Sequence, residues 1–360
     1  MSMSLFTSFD LGKLHLKNRM VMAPLTRCRA TAEHIPTDLM ATYYAQRATA
    51  GLIITEGTSP SPNGLGYARI PGLFAPSHVP AWRKITQAVH ERGGCIFVQL
   101  MHTGRVSHPL NMPEGARILA PSAVGLSGAM WTDQQGMQPY PTPGIMSEAD
   151  IGKAIEEYAA SAALAIEAGF DGVELHGANG YLIEQFLNTA SNRRTDQWGG
   201  SMENRARFAI EVATVASNRI GASRIGMRLS PYGVFNDMVA DAETDALYAH
   251  LVGALSKLGF AYIHIVDHSS QGAPEVPATI KARIREVFHG ALILSGGYDR
   301  ARAEVDLNAK RGDLVALGRP FLANPDLVER LKNGTALNQP DASTFYTPGE
   351  KGYTDYPSVT

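Results

Sequence analysis

The stretch "EADIGKAIEEYAASAALAIEAGFDGVELHGANGYLIEQFLN", residues 148–188, decides the fold. Ile151, Ile155, Tyr158, Ala162 and Ala165 recur at helical spacing. Ser147 with Asp150 forms an amino-terminal cap in sequence, and Gly169 marks the stop. A short apolar run follows at once, "GVEL", and then a turn leading into a second helical pattern. The same unit recurs on both sides. "WRKITQAVHERGG" (82–94) precedes "CIFVQL", "DALYAHLVGALSKLGF" (245–260) precedes "AYIHIV", and "ARAEVDLNAKRG" (301–312) precedes "DLVALG". Strands are expected at 19–22, 52–55, 96–99, 172–175, 225–229, 262–266, 292–295 and 314–317. Apolar runs alternating with helices indicate a parallel sheet buried on both faces. Eight such units indicate closure into a (β/α)8 TIM barrel. An open doubly wound sheet is the alternative, but no G-x-G-x-x-G follows an early strand.

One domain over 1–360 is expected, since barrels run to ~250 residues and longer with insertions. "FDLGKLHLKNR" ahead of the first strand reads as an N-terminal hairpin plugging the barrel floor. Residues 102–145, rich in Pro and Gly, read as a long irregular insertion after the third strand and as a lid. Residues 336–360 form a C-terminal tail. Composition closes off other classes. With Lys+Arg 32 against Asp+Glu 34, no basic excess serves nucleic acid or an anionic membrane. Two cysteines, Cys28 and Cys95, do not make a disulfide framework or a cysteine metal site. No apolar stretch has the length to span a bilayer and no signal segment opens the chain, so a cytoplasmic protein is expected.

Barrel active sites form at the carboxyl ends of the strands. Those ends carry Thr26, Glu56-Gly57, Gln99 with His102, His176 with Asn179 and Tyr181, Arg228, Asp267-His268, "SGGY" and "LGRP". Barrels bind phosphate after strands seven and eight. There, Gly296, Gly297 and Gly318 let backbone N–H groups approach an anion, Arg319 adds a forked cation, and Asp299 offers a cap for the next helix. Arg228 inside an apolar strand needs an anion or several acceptors. Gln99 both donates and accepts. This set suits a flat heterocycle attached to a phosphate. No strand-end lysine supports a Schiff base. His264 and His268 show no metal-ligand spacing and are read as structural, with no metal expected.

Together these residues resemble the Old Yellow Enzyme family of FMN-dependent ene-reductases, most like its N-ethylmaleimide and nitrate-ester reductase branch. The resemblance rests on "NRMVMAPLTRCRA", "YYAQRATAGLIITEGT", "FVQLMHTGR", "AGFDGVELHGANGYLIEQFLN", "NRRTDQWGGSMENR", "LGRPFLANPDL" and "GYTDYP", which span nearly the whole chain. It implies tightly bound FMN with NADPH or NADH as co-substrate. Thr26, Ala23, Pro24, Gly57 and Gln99 would line the flavin, Arg228 would stand beside its N1 and O2, and Gly296, Gly297, Gly318 and Arg319 would cradle its phosphate. His176 and Asn179 would hold the oxygen of an electrophilic alkene while Tyr181 supplies a proton. Tyr67, Met101, His102 and Tyr346 would line the substrate pocket. The implied substrates are α,β-unsaturated carbonyls, maleimides, nitroalkenes and nitrate esters, handled by a monomer or homodimer. The motif "NRRTDQWGGSMENR" reads as a structural loop stiffened by Arg–Asp contacts.

Three positions depart from relatives. Met101 stands where many have tryptophan, implying a roomier pocket. Asn179 stands where some have histidine. Cys28 lies two residues past Thr26 and is read as structural. A dienoyl-CoA reductase is set aside because the chain is too short and too poor in cysteine. A non-catalytic flavin redox sensor and a flavin-free phosphosugar isomerase remain the alternatives.

Overall fold

The computed structural model describes residues 4–359; residues 1–3 and 360 of the expected domain lie outside the described residues. Strands β1 (Phe9–Leu11) and β2 (Leu14–Leu16) pair as an antiparallel hairpin. Then β3 (Met20–Met22), β4 (Leu52–Thr58) and β5 (Ile96–Leu100) enter the barrel. The insertion carries β6 (Leu119–Ala120), β7 (Ala129–Thr132), β8 (Gly136–Pro139) and β9 (Gly144–Ile145). Strands β10 (Gly172–Gly177), β11 (Ile225–Leu229), β12 (Tyr262–Ile265), β13 (Ala291–Ser295) and β14 (Leu314–Leu317) complete the set. The eight parallel barrel strands lie at the expected places, and Ala316 pairing with Val21 closes the ring.

Each barrel strand is buried along its length because helices cover the outside and side chains fill the inside. The cover is α1 (Asp38–Gln46), α2 (Val79–His90), α3 (Glu148–Glu167), α4 (Leu182–Leu187), α5 (Met202–Ile220), α6 (Thr244–Leu258), α7 (Ala278–Val287), α8 (Arg300–Asn308), α9 (Arg319–Ala323) and α10 (Leu327–Asn333). At the start of α3 the Ser147 hydroxyl accepts from the Asp150 N–H, and the Asp150 carboxylate accepts from the Ser147 N–H in return. The hairpin supplies Leu11 and Leu16 to the cluster inside the barrel, with Val21, Leu52, Phe97, Tyr262 and Leu314. No helix of the described residues is long and apolar enough to cross a membrane.

The insertion is more ordered than its composition implies. It holds a β7–β8 hairpin and a parallel β6–β9 pair. Strands of two to four residues among prolines and glycines are too short to show periodicity. The stiffened loop holds as expected: Arg194 grips Asp196 and also donates to the carbonyls of Pro121 and Met146, tying the loop to the insertion. The tail is strapped down by buried arginines. Arg27 reaches the carbonyls of Phe345 and Gly352, Arg47 that of Tyr353, and Arg330 that of Pro357.

Candidate active site

A cleft of about 460 Å³ opens at the carboxyl ends of the strands. Ala23, Pro24, Thr26, Gly57, Gln99, Met101, His176, Asn179, Tyr181, Arg228, Gly296, Gly297, Gly318, Arg319 and Tyr346 all line it. Tyr67 does not; its hydroxyl lies 2.8 Å from that of Tyr181. His102 is likewise buried away from the lining, its Nδ1 accepting from the Gly104 N–H. Residues 102–145 contribute none of the lining side chains. They pack instead behind Met101 and Tyr181 through Val106, Leu126 and Met130.

The turn after β10 sets the first group of side chains. His176 Nδ1 accepts from the Ala178 N–H at 3.2 Å. Burial, with Arg228 nearby, holds its pKa well below the ordinary value. The ring is therefore neutral, and its proton sits on Nε2 as a donor. Asn179 is fixed by a neighbour: His268 Nε2 lies 2.9 Å from its Oδ1, while His268 Nδ1 accepts from the Gln271 amide at 3.3 Å. Burial drives the His268 pKa down to about 4, so the ring is neutral with its proton on Nε2. The Asn179 oxygen is consumed, and its NH2 remains to donate. Tyr181 is 9% exposed, and burial pushes its phenol up to about 12. It keeps its proton across the physiological range.

The barrel floor of the cleft presents the opposite polarity. Gln99 donates through Nε2 to Glu174 Oε1 at 2.7 Å, so its Oε1 is left as an acceptor. Glu174 Oε2 meets His264 Nδ1 at 2.9 Å. In the strand register Glu174 pairs with Gln99, and His176 with Arg228. Arg228 is buried, and its Nε has no partner among the described residues. Burial lowers its pKa, with Glu174 acting in the other direction. A buried guanidinium without acceptors needs an external anion. On β4 a register shift between Ile54 and Gly57 brings Gly57 level with Gln99. A Cβ on Gly57 would fall 2.5 Å from Met101 Sδ, so glycine there makes room for the thioether.

The far end of the cleft separates two reasons for glycine. Gly296 sits at φ +124 and Gly297 at φ +62, and a Cβ on either would strike Asp267 or Ser270. Their backbone alone requires glycine. Gly318 does not: a Cβ there would meet only Leu25 at 3.4 Å and Ala23 at 3.9 Å, both lining residues. That space belongs to the cleft. Arg319 stands at its exposed edge, one N–H on Gln271 Oε1. Asp299 caps α8 through the Arg302 N–H at 2.8 Å. FMN fits this set: an unsatisfied buried cation and an acceptor amide for a heterocycle, then an open glycine and an arginine for its anionic tail.

Several contributors were not identified from sequence. His268, read there as structural, lines the cleft and orients Asn179. Glu174 and His264 lay inside apolar runs with no marker of their partners, which are 75 and 90 residues distant. Arg27 and Phe345 also line the cleft. Cys28 is buried, with its thiol pushed up to about 12, which fits a structural role. Among the described residues no group of three His, Cys, Asp or Glu side chains is arranged to hold a metal.

Residues 4–338 match the model of the NADH:flavin oxidoreductase / NADH oxidase family. A probable flavin mononucleotide-dependent alkene reductase of Leishmania infantum is 44% identical over 96% of this chain and 95% of its own length. Morphinone reductase superposes with a TM-score of 0.95 at 44% identity, covering 99% of this chain and 96% of that one, and has also been solved with tetrahydroNAD. The Old Yellow Enzyme homologue from Zymomonas mobilis gives 0.93 at 40% identity, covering 99% of this chain and 100% of that chain.

Proposed function

The chain belongs to the NADH:flavin oxidoreductase / NADH oxidase family, the Old Yellow Enzyme family its motifs resemble, and we propose that it reduces electron-poor alkenes with NAD(P)H. FMN held in this cleft would supply the hydride chemistry that links a nicotinamide to the β carbon of the alkene. Gln99 would accept from the ring, Arg228 would neutralise charge that collects on it, and Gly318 with Arg319 would hold the phosphate. His176 Nε2–H and the Asn179 NH2 would grip the carbonyl or nitro oxygen, where charge develops during hydride addition. Tyr181 would then give its proton to the α carbon, and its hydroxyl partner Tyr67 keeps the phenol aimed.

The single observation that carries this reading is the polarity of the clamp. Both His176 and Asn179 have their acceptor atoms consumed by the protein, so both face the cleft as donors. Such a pair selects a substrate oxygen that accepts. The tetrahydroNAD complex of morphinone reductase supports a nicotinamide donor here. The branch preference for N-ethylmaleimide and nitrate esters, a monomeric or dimeric state and a cytoplasmic location complete the proposal.

Stopped-flow mixing of the anaerobically reduced protein with cyclohexenone tests it. In Tyr181→Phe the reoxidation should slow by ~10²-fold or more, the usual worth of a general acid, while reduction by NADPH changes far less. Equal loss in both steps would remove Tyr181 from the acid role. A wild-type protein that NADPH bleaches, but that no enone or nitroalkene reoxidises, would favour a redox sensor.

A further inference from the structure

Glu184 lies in α4, directly after the turn that carries Asn179 and Tyr181, and is 2% exposed. Its carboxylate folds back under that turn. The Gly180 N–H donates to Oε2 at 2.6 Å, and the Tyr248 hydroxyl to Oε1 at 3.0 Å. The Ser230 hydroxyl donates to Oε1 at 2.8 Å. Because that single proton goes to Glu184, the Ser230 oxygen is free to accept the Asn179 N–H, at 2.9 Å. Two successive backbone amides therefore end on one carboxylate, one directly and one through a hydroxyl. The turn needs such an anchor, for Asn179 holds φ +57 and Gly180 φ +73, and a non-glycine residue in the left-handed region is strained.

We propose that Glu184 is the positioning residue of the oxygen clamp, fixing the angle at which the Asn179 carboxamide and the Tyr181 phenol meet the substrate. This rests on the ene-reductase reading of the same site. Three donors surround the carboxylate, which is the arrangement an ionised acceptor wants and a protonated acid does not. A proton added to Glu184 can be housed only if the Ser230 or Tyr248 hydroxyl turns from donor to acceptor, so one of the bonds to the carboxylate reverses. The groups facing it are Gly180 from the turn, Ser230 at the end of β11 and Tyr248 on α6. Asp241 and Tyr232 border the same small space, and no basic side chain does among the described residues. With no cation to offset burial, the carboxyl is pushed up to about 7, so the anchor loosens on acidification through neutrality.

The test uses the FMN-loaded protein and three measurements: the KM for cyclohexenone, the dissociation constant of unreactive cyclohexanone read from the flavin spectrum, and the pH profile of reoxidation. Glu184→Gln should raise both constants by ~10-fold or more and abolish the transition near neutrality. Ser230→Ala releases the Asn179 amide and removes one of the donors to Glu184; it should raise both constants by ~3- to 10-fold and keep the transition, moved to higher pH. Should Glu184→Gln fail to fold, the serine variant alone decides. Wild-type constants in Ser230→Ala, or a persisting pH transition in Glu184→Gln, overturn the assignment. A wild-type protein that does not reduce cyclohexenone at all defeats the parent reading instead, and Tyr181→Phe, which leaves the Glu184 bonds intact, separates the two.

Discussion

Replacing Arg29 by Met should release the C-terminal tail while leaving the barrel folded. The guanidinium, 4% exposed, donates to the tail carbonyls of Thr344, Phe345, Gly349 and Lys351 at 2.9, 2.9, 3.2 and 3.0 Å. It also lies over the Tyr353 ring, 4.6 Å from the centroid. Burial, with Arg27 beside it, lowers its pKa to about 10, so it is charged at neutral pH. A hydrogen bond to a charged group contributes ~1.5 kcal/mol at the low end, so four give ~6 kcal/mol; if half returns as the freed carbonyls regain water, ~3 kcal/mol remains. That corresponds to a ~10²-fold larger open population of the tail, since each 1.4 kcal/mol is tenfold. Methionine keeps the apolar stem and isolates the polar loss. Hydrogen exchange reads the effect directly: the Tyr353 and Thr354 amides, both on the Glu350 carbonyl, should lose ~10²-fold protection while the barrel strands keep theirs. The KM for an enone should rise as well, because the tail places Phe345 and Tyr346 on the cleft. Unchanged tail protection, or an equal fall in tail and barrel, would refute the strap.

The glycines at the phosphate end should divide by cause. Gly318→Ala should leave apoprotein stability within ~1 kcal/mol yet weaken FMN binding by ~10-fold or more, whereas Gly296→Ala, whose Cβ would fall 2.2 Å from the Asp267 carbonyl, should cost ~2 kcal/mol or more; denaturant unfolding and flavin titration separate them. Burial pushes Glu56 up to about 7 from 4.5, so the folded state holds a proton that the unfolded state releases; its stabilisation is complete below pH 4.5 and is lost as pH rises through about 7. Relative to wild type, Glu56→Gln should therefore gain up to ~3 kcal/mol between pH 4.5 and 8, and thermal melts showing a pH-independent difference would contradict this.

The barrel was legible because its strands are buried on both faces and so read as unbroken apolar runs between amphipathic helices. The strand-end residues were legible for the same reason: once the strands are placed, so is the catalytic face. What stayed hidden is long-range pairing. His268 is 89 residues from Asn179, and nothing at either position marks the other. The arginine strap was equally invisible, because its acceptors are backbone carbonyls, which every residue possesses. Glu184 stood inside the stretch that decided the fold, yet as one acidic residue in a helix it reads as a solvated face until the turn folds over it.

The polarity of the cleft is set mostly by side chains on which no substrate atom need rest. His176, Asn179 and Gln99 can each donate or accept, so their identities alone do not say what they bind. Each has one end consumed: His176 by the Ala178 N–H, Asn179 by His268, Gln99 by Glu174. What remains is two donors on the side of the turn and one acceptor on the barrel floor. Had His268 carried its proton on Nδ1, Asn179 would present its oxygen to the cleft and suit a substrate N–H, and had Glu174 been a donor, Gln99 would present its NH2 instead of its oxygen. The partners therefore decide the chemistry as much as the named site does, which is why a resemblance built on site residues predicts the reaction only where those partners are also in place.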